Sequence, residues 1–392
     1  MNPGLIILRM KSPIVAATVL ALSVVVPAQN KPRARDLGVP FDGTPGPLNA
    51  ITDVRGVEVG VATIIRGEGA LKAGAGPVRT GVTVILPRGK DSSDPVFAAW
   101  FAQNGNGEMT GTTWIDEGGF MEGPVFITNT HSVGVVRDAA IAWSVKGGKM
   151  FQPWSLPVVA ETWDGSLNDI NGFHVKPEHV MQAIESAAAG RVPEGNVGGG
   201  TGMICYEFKC GTGTASRKLP PQQGGYTVGV LVQANHGRRG ELRIAGAPVG
   251  QDMPVPAAPR GGALPPSTQE QGSIIIVVAT DAPLLPHQLE RVARRATMGL
   301  ARTGATSGNG SGDIFLAFST ANDGVAAAPR EIHVNMLANS RISALFSATV
   351  EATEEAIVNA LIAAETMTGI DGRKVDAIPH QRVRELLKKY GR

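Results

Sequence analysis

Six short runs of apolar, largely β-branched residues recur along the chain: 82–86, 125–128, 157–160, 228–232, 274–278 and 314–318. Several hold apolar residues at consecutive positions, without the polar alternation of a strand that has one face in water, so both faces need cover. Stacked sheets with helices packed against them supply that cover.

The helical periodicities fit such layers. Residues 177–189, opened by Pro177 and closed by Gly190, place Val180, Ile184, Ala187 and Ala188 on one face. Residues 286–300 set Leu289, Val292, Ala293 and Ala296 against Arg291, Arg294 and Arg295. A third helix is expected over 351–366, with Ala352, Ala356, Ala360 and Ala364 at steps of four, and a last one over 379–390. Strands and helices do not alternate regularly and no Rossmann opening is present. The stretch 246–272 is dominated by Pro, Gly, Ala and polar residues without periodicity, which predicts a long surface loop inserted in one domain.

At 392 residues and 43% hydrophobic content the chain can bury a large core. Its formal net charge of +2, with 18% charged residues, gives no basic surface able to neutralise a row of phosphates, so nucleic acid is not an expected partner. Arg9 and Lys11, an apolar stretch from Pro13 to Val26 and then Pro27-Ala28-Gln29 form a signal-peptide pattern with cleavage expected after Ala28. The alternative is an uncleaved anchor, because Lys31, Arg33 and Arg35 make the following flank basic as well. With the signal removed, residues 29–392 are expected to be soluble, secreted or periplasmic, and not bound to a membrane. Cys205 and Cys210 are the two cysteines; an oxidising compartment permits a disulfide, but closing so short a loop is geometrically demanding, and unpaired thiols are the simpler expectation. Two cysteines, with His174 and His179 the one close histidine pair, supply no zinc-site spacing, so neither metal nor other cofactor is expected.

The most informative stretch is Gly308-Asn309-Gly310-Ser311-Gly312-Asp313, followed at once by the run 314–318. A glycine-rich loop delivers one serine to the edge of a buried strand. It is not a serine-hydrolase elbow, since Asn309 and Asp313 stand where that motif needs glycine, and it lacks the Lys and helix start of a phosphate loop. On residue types alone an ordinary Gly-Ser turn remains open.

Read on through Ile314-Phe315-Leu316-Ala317-Phe318-Ser319-Thr320, the stretch resembles the processing site of the DmpA-type serine aminopeptidases, which include L-aminopeptidase D-esterases and β-peptidyl aminopeptidases. Further blocks match in order: 35–38 with 49–54, 79–83, 127–130, 201–203 with 213–217, 230–235 and 350–356. The resemblance implies a four-layer αββα sandwich of α+β class, shared with ornithine acetyltransferases, in which the nucleophile is N-terminal. It implies one catalytic domain that cuts its own Gly310-Ser311 bond into a large chain, 29–310, and a small one, 311–392, held noncovalently and commonly assembled as homotetramers of these heterodimers.

The chemistry expected from it is consistent. The Ser311 hydroxyl attacks the Gly310 carbonyl, the amide becomes an ester, and water opens it. The released α-amine, with a reference pKa of about 7.7–8.0, then serves as base for the hydroxyl on the same residue. The resemblance gives Asn235 the oxyanion, gives Thr349 and Glu351, at the expected helix start, the task of orienting the nucleophile, and gives Glu161 the substrate's free amine. Trp163 departs from the usual tyrosine and Cys210 from the usual glycine. Peptides, amides or esters with a free N-terminal residue are the implied substrates. An acyltransferase of the same fold, or an unprocessed binding protein, are the alternatives; product analysis with an added amine separates the first, a denaturing gel the second.

Overall fold

The computed structural model describes residues 1, 31–148, 150–254, 272–327 and 330–392. Apart from Met1, the expected signal at 1–28 lies outside them, as does most of the loop at 246–272. Two compact units are distinguished, 1–31 and 32–392, and all that follows concerns the second.

Two sheets carry the architecture. The first has the strand order β1 (Glu58–Arg66), β2 (Val78–Leu86), β5 (Val125–Asn129), β6 (Val158–Thr162). The second has the order β4 (Phe120–Met121), β3 (Val96–Gly105), β12 (Gly312–Ser319), β11 (Ser273–Thr280), β10 (Thr227–Asn235), β9 (Thr212–Lys218). Neighbours are antiparallel except β5 with β6 and β11 with β12. Parallel neighbours need a long crossover. After a short α1 (Thr112–Gly118), α2 (Val133–Gly147) supplies it for the first pair, and α4 (Pro286–Arg302) for the second. A small hairpin, β7 (Ile204–Cys205) and β8 (Phe208–Lys209), stands apart from both sheets.

The unbroken apolar runs are explained by what lies on either side. In β11, Ile274, Ile276 and Val278 join one core with Leu289, Val292 and Ala296 of α4 and with Ala352, Ala356 and Ala360 of α5 (Ser343–Ile362). The alternate residues Ile275 and Val277 join a second core with Ile85, Ile127 and Ala160 of the facing sheet. On the outer side of that sheet, α2 and α3 (Pro177–Ser186) cover Val82, Val84 and Phe126. Each fully buried aliphatic side chain contributes about 1.5–3 kcal/mol over its exposed state. The order of layers is therefore helices, sheet, sheet, helices, the αββα arrangement expected.

Helix ends differ from the periodicity. α3 stops at Ser186 because Ala188 exchanges both backbone hydrogen bonds with Val59 at the edge of the first sheet, which draws the chain out straight. α5 begins at Ser343, so the expected start at Glu351 lies two turns inside it. The last helix, α6 (His380–Lys389), matches its expected span to within a residue at each end.

Cys205 and Cys210 are joined, against the expectation of unpaired thiols. The two-residue turn Tyr206-Glu207 folds the segment back on itself and brings the two Cα atoms to 5.4 Å, inside the range a disulfide spans.

Candidate active site

The register of the second sheet puts four residues level across four strands. Asn235 pairs with Ser273, Ser273 with Gly312, and Gly312 with Gly105. Strands stand about 4.8 Å apart, so Asn235 is one step from Ser273 and about 10 Å from Gly312. Beyond this row opens a cleft of about 460 Å³, lined by residues that include Asn106, Glu161, Trp163, Ser273 and Gly310. A second cleft of about 410 Å³, beside Trp100 and His287, carries none of the expected site residues.

Two glycines allow the row to close up. A Cβ on Gly272 would sit 2.2 Å from the Asn235 carbonyl oxygen, and one on Gly312 would sit 2.4 Å from that of Asn106. Gln233 ties the sheets together behind the cleft, donating from Nε2 to the Thr128 carbonyl at 2.9 Å and to Thr162 Oγ1 at 2.8 Å. That tie brings the ends of β5 and β6 over the end of β10.

Glu161, at the end of β6, is 3% exposed and aims into the cleft. Its Oε1 accepts from the Glu108 backbone N–H at 3.0 Å and its Oε2 from the Thr130 hydroxyl. Burial pushes its carboxyl above the usual glutamate range, against the pull of those two donors. Trp163, 43% exposed, forms the adjoining wall. Asn235 accepts at Oδ1 from the Ile204 N–H at 2.8 Å and donates from Nδ2 to the Trp163 carbonyl at 2.9 Å. Its donor end therefore faces the cleft side.

Ser311 does not line the cleft. It is fully buried; its hydroxyl donates to Asp313 Oδ2 at 2.9 Å and accepts from Asn104 Nδ2 at 3.3 Å, which commits its proton to a carboxylate. Its carbonyl is held by the Asn106 N–H at 3.2 Å and by Asn104 Nδ2 at 2.8 Å. The Gly310 carbonyl accepts from Asn106 Nδ2 at 2.8 Å. Ser273, 7% exposed, does line the cleft and stands between Asn235 on one side and the Ser311, Asp313 pair on the other. The Gly312 N–H donates both to Ser273 Oγ at 3.1 Å and to the Gly272 carbonyl at 3.2 Å. An oxyanion donor has to lie about 3 Å from the reacting oxygen; Asn235 stands one strand from Ser273 and two from the strand that follows Ser311.

Thr349 and Glu351 are not brought to this place. Thr349 is buried inside α5 and spends its hydroxyl on the Leu345 carbonyl at 2.8 Å. Glu351 faces Arg217 Nε at 3.5 Å. Arg217 is level with Val228, Thr280 and Ser319, the far end of the same strands, about 23 Å from the row along the strand direction. The hydroxyl-x-carboxylate pattern expected there recurs as Ser311-Gly312-Asp313, and this copy does flank the cleft row. His236, next to Asn235, is buried against the edge of Tyr206, with ring centroids 5.1 Å apart, and burial pulls its imidazole down to about 3. Among the described residues no three His, Cys, Asp or Glu gather as a metal site would.

A family model described as peptidase family S58 matches residues 49–375. The β-peptidyl aminopeptidase BapA of Sphingosinicella microcystinivorans is 56% identical over 369 residues, covering 92% of this chain and 93% of that relative. BapA of Sphingosinicella xenopeptidilytica is 50% identical, with 91% of each covered. Among solved structures, the L-aminopeptidase D-Ala-esterase/amidase of Ochrobactrum anthropi, described as a variant of the N-terminal-nucleophile hydrolase fold, superposes with a TM-score of 0.84 at 51% identity, covering 92% of this chain and 99% of that one.

Proposed function

The chain belongs to peptidase family S58 and is a serine aminopeptidase of the N-terminal-nucleophile fold; from that premise we propose that its nucleophile is Ser273, freed when the chain cuts its own Gly272–Ser273 bond. The observation that carries this reading is the row Asn235, Ser273, Gly312, whose middle member, Ser273, lines the cleft together with Glu161.

The steps use groups already in place. Ser273 Oγ attacks the Gly272 carbonyl carbon, and the Gly312 N–H, 3.2 Å from that carbonyl oxygen, stabilises the negative charge that develops. The amide C–N bond breaks as the C–O ester bond forms, and the nitrogen takes the hydroxyl's proton. Water then hydrolyses the ester, leaving a carboxylate on Gly272 and an α-amine on Ser273. That amine is the base for later cycles. Glycine at 272 leaves the approach open and meets the close packing on Asn235.

In turnover, Glu161 holds the ammonium of the substrate's first residue, Ser273 attacks its carbonyl, and Asn235 Nδ2 donates to the oxyanion. Ser311 and Asp313 orient the nucleophile from the neighbouring strand. The wall beside Glu161 is an indole, which donates one hydrogen bond and accepts none. The relatives' names make peptides with an N-terminal β-amino acid the first substrates to try, beside α-amino acid amides and esters. The same proposal includes removal of 1–28, export to an oxidising compartment, which the disulfide supports, and assembly of the processed heterodimers into homotetramers.

Terminal sequencing of the purified protein tests it. A new start at Ser273 is expected, with a small chain 273–392; a start at Ser311 returns the nucleophile to that residue, and a single uncut chain overturns self-processing.

A further inference from the structure

Between the disulfide and the cleft there is a direct mechanical link. The hairpin β7–β8 has strands of two residues each, too short to hold alone. Its turn residues, Tyr206 and Glu207, both have positive φ, 52° and 59°, a conformation that favours glycine or asparagine and is strained for these side chains. The Cys205–Cys210 bond closes this turn, and Lys209 Nζ clamps it by donating to the carbonyls of Met203 and Cys210 at 2.7 and 2.6 Å.

The hairpin's outer edge is spent on the turn that follows β10. Tyr206 N–H donates to the His236 carbonyl at 2.7 Å, and Ile204 N–H donates to Asn235 Oδ1 at 2.8 Å. A carboxamide has one accepting and one donating end. With Oδ1 held by Ile204, Nδ2 must point the other way, toward the Trp163 carbonyl and the cleft. Released from Ile204, the amide is free to turn over and offer an oxygen where an oxyanion needs a donor.

We propose that the Cys205–Cys210 disulfide is a positioning element for Asn235, so that turnover depends on the redox state of the pair. The inference rests on the reading of Asn235 as oxyanion donor. Neither cysteine touches substrate; they act through Ile204 and the amide. Reduction by a dithiol breaks one S–S bond, forms two S–H bonds with two electrons and two protons from the reagent, and leaves the reagent as its own disulfide. The hairpin then keeps the hydrogen bonds of Lys209 and Arg239 to its carbonyls but loses the covalent closure that fixes its strained turn.

The test is a cycle on the processed full-length enzyme with C205A/C210A, Asn235→Ala and their combination. C205A/C210A is expected to lower kcat by about 10–100-fold with KM within about twofold, since a misdirected oxyanion donor costs transition-state stabilisation and not binding. Added to Asn235→Ala, the same cysteine changes are expected to cost nothing further. Unchanged kcat in Asn235→Ala overturns the role of Asn235. A large loss there, with C205A/C210A either as active as wild type or equally damaging in the Asn235→Ala background, overturns the positioning inference alone. Should C205A/C210A fail to fold, processed wild-type enzyme is treated with rising dithiothreitol until two thiols per chain titrate. Turnover that falls with them and returns on reoxidation supports the inference; full turnover with both thiols free overturns it.

Discussion

The two ends of the six-stranded sheet both bury polar groups, and they do so in opposite ways. At the far end, Arg217 meets Glu355 at 2.8 Å, and Glu355 also takes Arg35 at 2.7 Å and Asn49 at 2.6 Å. Within this cluster Glu355 is paired with both Arg217 and Arg35. At the cleft end, the row consists of an amide, a hydroxyl and a backbone N–H, and the carboxyl of Glu161 is satisfied by neutral donors alone. A compensated cluster holds the fold together, whereas one left short of a positive charge is ready to receive a cation. Glu351, 3.5 Å from Arg217, stands at the far end.

Breaking the cleft end costs chemistry first. Ser273→Ala is expected to leave a single uncut chain and to lower hydrolysis by about 10⁴-fold or more, whereas Ser311→Ala is expected to retain the cut at Ser273 while turning over more slowly. A gel and a rate assay on both variants check this, and a cut chain in Ser273→Ala removes the proposed nucleophile.

At the far end the loss appears in stability. Burial alone raises the Glu355 carboxyl, but the hydrogen bond from Arg35 and the charge of Arg217 outweigh it and leave the group below the ordinary range. Its folded value lies below its unfolded one, so its contribution is present above about pH 4.3 and is lost as pH falls through the folded value. Glu355→Gln is expected to cost about 3 kcal/mol in denaturant unfolding near pH 7, with kcat of the folded enzyme unchanged.

Glu161 carries the reverse sign. Burial raises its carboxyl, so it takes up a proton at a higher pH than an ordinary glutamate and then no longer attracts an ammonium. KM is expected to rise as pH falls through that raised value, while Glu161→Gln should raise KM by about 10–100-fold and abolish this acidic limb. A KM profile that is flat from pH 5 to 8 in wild type, with an unchanged KM in the variant, would assign the amine to another group.

The smallest effect separates the two ends most cleanly. Glu351→Gln removes a 3.5 Å contact to Arg217 from a carboxyl that burial raises, and should cost at most about 1 kcal/mol with turnover unchanged. A loss of turnover in this variant would link the far end to the chemistry.

The layers were legible because β11 and β12 write them as unbroken apolar runs, and the structure resolves those runs into Ile274, Ile276 and Val278 on one side and Ile275 and Val277 on the other. Asn235, Glu161 and Trp163, singled out from the sequence, each stand at or just past a strand end; Glu161 and Trp163 line one cleft, and Asn235 bonds to the Trp163 carbonyl. The nucleophile proposed above was harder to see. Ser311 stands amid glycines and looks presented, while Ser273 follows a single glycine at the close of the 246–272 loop and opens an apolar strand. Only cross-strand register, which no local pattern encodes, sets Ser273 between Asn235 and Asp313. The expected helix start at Glu351 failed because the first two turns, Ser343–Val350, carry Ser343, Ser347 and Thr349 among their apolar residues, and no side-chain cap marks their beginning.

Strand order also governs what a nick at Gly272 does to the molecule. β11 and β12 of the downstream piece lie between β10 and β3 of the upstream piece, hydrogen-bonded to both along their length. The two polypeptides that such a nick would leave are thus interleaved within one sheet, and neither could leave without unzipping its middle. Dilution should not part them; only denaturation should, and the cleaved molecule will melt as a single cooperative body.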